Sequence, residues 1–99
     1  MWLALKINNM KAQTEKEIII KSTNGIHAEL ASKIVQAASK YSVDVILYYK
    51  NKTIDLKSIL GLMSLAVPYG ENVRLVACGA KDETEQVIKE IEELVGDKK

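Results

Sequence analysis

Two amphipathic helical segments, separated by short β-branched runs, constrain this chain more than any other feature. Between Ala28 and Lys40, the residues Leu30, Ala31, Ile34, Val35 and Ala38 fall on one apolar stripe at helical spacing. Between Asp82 and Gly96, a second stripe holds Val87, Ile88, Ile91, Leu94 and Val95. Asp82 and Glu85 have the spacing of a capping box, and Gly96 can end the helix. Each stripe needs an apolar surface to lie against. Four runs can supply it as strands: Ile18 to Ile20, Val43 to Tyr49, Thr53 to Leu56 and Val73 to Cys78. Asn51-Lys52 joins the middle two as a short turn. Ser58 stands where an N-cap belongs, ahead of the short apolar segment Ile59 to Leu65, and Pro68-Tyr69-Gly70 is a turn. The order βαββαβα predicts an α+β fold, a four-stranded antiparallel sheet covered on one face by three helices.

The pattern assigns residues 17–97 to one domain and residues 1–16 to an N-terminal extension. In the extension Leu3, Leu5 and Ile7 alternate with Ala4 and Lys6 as a weak strand, while Asn8 to Lys16 is polar and aperiodic. The apolar start, Met1 to Leu5, is too short for a signal-peptide core or a membrane span, so a cytoplasmic protein without membrane insertion is expected. Lys plus Arg number 14 and Asp plus Glu 13, a net charge of +1 that makes no electrostatic case for direct nucleic-acid binding. One cysteine and one histidine cannot furnish a Cys/His zinc site, and one cysteine cannot close an internal disulfide. A reducing compartment follows. No metal or cofactor is implied: the carboxylates from Asp82 to Glu93 read as a solvated helix face, and Cys78 as a small buried or half-buried hydrophobe.

His27 lies between a glycine-containing turn and the first helix. The first N–H groups of a helix have no internal acceptors, and the macrodipole places partial positive charge there. A phosphoryl group on a histidine at that point meets ready donors. Neutral imidazole is also a competent nucleophile near neutral pH.

The string Asn24-Gly25-Ile26-His27-Ala28 resembles the active-site motif of the HPr phosphocarriers of the bacterial sugar phosphotransferase system. Lys57-Ser58-Ile59-Leu60-Gly61-Leu62-Met63-Ser64-Leu65 resembles their regulatory-serine segment in Gram-positive-type bacteria, and Gln36 to Tyr41 agrees as well. The resemblance implies the open-faced sandwich of that family. It implies His27 as acceptor of a phosphoryl group from enzyme I, passed on to sugar-specific enzyme II components such as enzyme IIA. The backbone N–H groups of Ala28 and Glu29 would hold the phosphoryl oxygens. Ser58 would be the target of HPr kinase/phosphorylase, and the phosphoserine form a partner of a catabolite-control transcription factor.

The sequence departs from the family at two positions, where Glu29 and Leu30 replace an arginine and a proline. Leu30 fits the helix stripe. Glu29 places a carboxylate where the family has a cation, which points to an alternative reading: a regulatory protein acting mainly through phospho-Ser58, with weakened histidine phosphotransfer. Lys33 and Lys57 are the candidate cations to offset it. The short helix carries more apolar residues than one face can bury. With Leu62 and Leu65 inward, Ile59, Leu60 and Met63 form a partner-docking patch.

Overall fold

The computed structural model describes residues 12–96. Seven elements follow in order: β1 (Ala12–Ile19), α1 (Ala28–Ser39), β2 (Asp44–Tyr49), β3 (Lys52–Asp55), α2 (Ile59–Leu65), β4 (Asn72–Gly79) and α3 (Lys81–Gly96). The strands form one sheet in the order β1-β4-β2-β3, with every neighbouring pair antiparallel. The βαββαβα reading therefore stands.

Alternation decides what each strand buries. Val45, Leu47 and Tyr49 of β2 and Val73, Leu75 and Ala77 of β4 point to the helices. Ala31 and Ala38 are fully buried on α1, which makes its closest approaches to α3 and α2. Ile34 of α1 and Val87 and Ile91 of α3 fill the space between. Among the described residues no helix covers the other face of the sheet, and Arg74 there stacks on the Tyr48 ring at 4.5 Å.

The expected extension over residues 1–16 is corrected at its end. β1 begins at Ala12 and pairs with β4 from Ala12↔Gly79 to Ile19↔Asn72. Its helix-facing side is polar there because it answers polar groups on α3. Thr14 Oγ1 lies 2.8 Å from Oγ1 of the fully buried Thr84, and Lys16 Nζ lies 2.9 Å from Glu92 Oε1. The alternation from Leu3 to Ile7 falls outside the described residues, as does residue 97. Two smaller corrections follow. α3 starts at Lys81, so Asp82 sits inside its first turn, and Thr84 Oγ1 donates to the Lys81 carbonyl at 2.8 Å. Cys78 is exposed on the open face, in the row of Arg74, with its thiol 3.8 Å from Gln13 Oε1.

Candidate functional site

His27 is the N-cap of α1. Its backbone is extended (φ −99°, ψ −178°), its carbonyl accepts the Ala31 N–H at 2.8 Å, and its side chain makes no capping bond. The imidazole is half-buried. Ala28, Glu29 and Leu30 occupy the first turn, where helical N–H groups have no acceptor within the helix. His27 and these donors thus lie at the same end of α1.

The turn ahead of His27 is fixed at three points. The Gly25 N–H donates to Ser22 O at 2.9 Å, and the Ile26 N–H donates to Val67 O at 2.8 Å. Ile26 is buried. Gly25 has φ +68°, and a Cβ there would run into the Val67 carbonyl and lie 2.8 Å from Pro68 Cα. Glycine is required both by the left-handed backbone and by this close approach. The residues that Gly25 touches follow directly from the end of α2, where Ala66 adopts the left-handed conformation (φ 50°) and turns the chain toward Ile26.

α2 packs beside α1 and over β3. Ser58 caps it: Oγ accepts the Gly61 N–H at 3.2 Å, and the Ser58 carbonyl accepts the Leu62 N–H at 3.0 Å. Gly61 has to be small, since a Cβ would collide with the Ile54 side chain. Leu62 is fully buried, while Leu60 is 77 % exposed, Met63 42 % and Ile59 38 %. The division of α2 into a buried side and an open apolar side follows the expected one, with Leu65 half-buried. The sequence reading took Pro68-Tyr69-Gly70 only as a turn. Tyr69 is 62 % exposed, one residue beyond the Pro68 that meets Gly25, and so adds an aromatic surface beside the histidine turn.

A groove of about 1040 Å³ runs from His27 along α1, with α3 as its other wall. Glu29, Lys33 and Lys40 line it from the α1 side, and Glu90 and Glu93 from α3. Its far end is tied shut. Glu90 takes a 2.7 Å ion pair from Lys40 and a 2.6 Å hydrogen bond from the Tyr41 hydroxyl. The Lys40 bond, and then the Tyr41 bond, hold the Glu90 carboxyl below its ordinary range. Donating to Glu90, with some burial besides, pushes the Tyr41 hydroxyl up to about 12. Near His27 the charges are looser. The Glu29 carboxylate is 75 % exposed and lies 3.9 Å from Lys33 Nζ. Lys57 is directed elsewhere, donating to the Tyr41 carbonyl at 3.2 Å. Among the described residues no three acidic, cysteine or histidine side chains group as a metal site.

The family model described as the PTS HPr component phosphorylation site matches residues 14–97. Solved structures agree. The phosphocarrier protein HPr from Bacillus anthracis superposes with a TM-score of 0.79 at 28 % identity, covering 85 % of this chain and 98 % of its own. HPr-C-His from Thermoanaerobacter tengcongensis gives 0.73 at 37 % identity, with 85 % and 97 % covered. Crh, the catabolite repression HPr of Bacillus subtilis, gives 0.64 at 34 % identity, with 85 % and 95 % covered. The chain belongs to the HPr phosphocarrier family of the phosphotransferase system.

Proposed function

We propose that the chain carries a phosphoryl group on His27, taking it from enzyme I and passing it to enzyme IIA-type acceptors in the cytoplasm. The observation that carries this reading is the half-buried His27 at the N-cap of α1, its side chain not engaged in a capping bond and its backbone leading directly into the first-turn N–H groups. An unprotonated imidazole nitrogen attacks phosphorus. The N–P bond forms as the bond from phosphorus to the donor breaks, and its electron pair leaves with the donor. The N–H groups of Ala28 and Glu29 hold the phosphoryl oxygens, and the helix dipole favours their charge. Ile59, Leu60 and Met63, with Tyr69, form the apolar surface on which partners dock. Incubation with phosphoenolpyruvate and enzyme I is expected to place one acid-labile phosphate on the chain, absent from His27→Ala. A chain that stays unlabelled rejects the reading.

A second reading is favoured by Glu29, an exposed carboxylate two residues from the acceptor. In it the chain acts in catabolite control through phosphorylation of the exposed Ser58 by HPr kinase/phosphorylase, as a partner of a transcription factor. Ser58→Ala should abolish labelling by that kinase. The same change removes the cap bond to Gly61, so urea unfolding should show a loss of ~1 kcal/mol. Labelling of Ser58→Ala equal to that of the unsubstituted chain would exclude Ser58 as the target.

A further inference from the structure

Glu29 leaves the acceptor site with an acid where a phosphoryl group needs a cation, and among the described residues one cation on the same groove is free to change partner. Lys40 is held by Glu90 at 2.7 Å and Lys57 by the Tyr41 carbonyl at 3.2 Å. Lys33 differs. It lines the groove with His27, its side chain is 57 % exposed, and its contact with Glu29 is long at 3.9 Å. Helical side chains lean toward the N-terminus, so Lys33 reaches back one turn to the Glu29 carboxylate. Glu29 is two residues from His27 in the chain, and both line that groove.

On this basis we propose that Lys33 is the phosphoryl-binding cation of this site, exchanging the Glu29 carboxylate for the phosphoryl group once His27 is phosphorylated. The inference rests on His27 as the phosphoryl acceptor. A phosphoryl group carries nearly two negative charges near neutral pH, against one on Glu29. It therefore competes successfully for an exposed ammonium held by a long contact. Across the groove α3 presents Glu90 and Glu93. Glu90 is already bound by Lys40 and Tyr41, and Glu93 adds repulsion that strengthens the need for a cation. The Glu29–Lys33 pair thus acts as a removable counter-charge, neutral overall before transfer and opened by it.

The experiment is phosphorus NMR on the full chain phosphorylated at His27 chemically, with phosphoramidate, so that no protein partner is needed. A nearby cation favours the dianion and lowers the pH at which the phosphoryl group takes up its next proton. Lys33→Met should raise that midpoint by about half a pH unit, Lys33→Arg should restore it, and Glu29→Gln should lower it. A packing role for Lys33 predicts no such rescue. An unchanged midpoint in Lys33→Met overturns the proposal, as does a His27 that phosphoramidate cannot phosphorylate. If enzyme I fails to label the chain but phosphoramidate succeeds and the midpoints move as stated, the phosphocarrier reading falls and the Lys33 assignment stands.

Discussion

Replacing Glu29 with arginine should raise the initial rate of phosphoryl uptake from enzyme I about five- to thirtyfold. At ~6 Å one unit-charge pair is worth about 0.7 kcal/mol in water and about 2.8 kcal/mol at an effective dielectric of 20. Exchanging an acid for a base reverses the sign and doubles the swing. The Glu29 side chain is 75 % exposed, which keeps the effect toward the aqueous end. A difference of about 1–2 kcal/mol gives the stated range. The backbone N–H at this position is untouched, so the gain isolates charge from hydrogen bonding. Two companion results should appear in the same kinetic assay. Glu29→Gln should fall between the two, and the arginine advantage should shrink as salt is raised. An arginine variant no faster than the unsubstituted chain would mean that charge at this position does not govern transfer.

Gly25→Ala should destabilise the domain by about 2–4 kcal/mol in urea unfolding. A left-handed conformation costs a residue with a Cβ about 1–2 kcal/mol. The new methyl also meets the Val67 carbonyl and Pro68, so the bond from Ile26 N–H to Val67 O, 2.8 Å long, has to yield. Losing such a bond adds roughly 1 kcal/mol. Against a total stability of about 5–15 kcal/mol for a small domain, this is a large share. The amide signals of Ile26, His27 and Ala28 should move together, because the contacts of Gly25 and Ile26 with Val67 and Pro68 hold the turn that they share. A variant as stable as the parent would show that the turn relaxes without cost.

Much of the fold was legible because burial here follows simple periods. On α2, the spacing that sends Leu62 inward leaves Leu60 outward, and Ser58 announces the helix start. The first half of β1 carries no apolar alternation, because its helix-facing side chains Thr14 and Lys16 are polar, half-buried or exposed, and bond to polar partners on α3. Thr14 meets Thr84 and Lys16 meets Glu92, pairs some 70 residues apart that no local pattern reveals. Cys78 was misread through the general tendency of cysteine to be buried, although its alternation with Ala77 already grouped it with Arg74. The position of His27 at a helix tip was visible in the order of turn and stripe. The groove beside it was not, since Glu90 and Glu93 come from the last helix and join its lining only through packing.

The sheet order also sets a timetable for making the site. His27 lies in the first third of the chain, yet its turn is closed by Val67, and β1 before it pairs with Asn72–Gly79. Lys21, two residues past the end of β1, donates its N–H to the Val95 carbonyl near the end of α3. Such distant pairings slow folding, because the ends of a long loop must meet before any contact rewards them. A nascent chain on the ribosome can form α1 early, but the histidine turn has no wall until Val67 and Pro68 have emerged. The surroundings of His27 are therefore completed about 40 residues after His27 itself has been made.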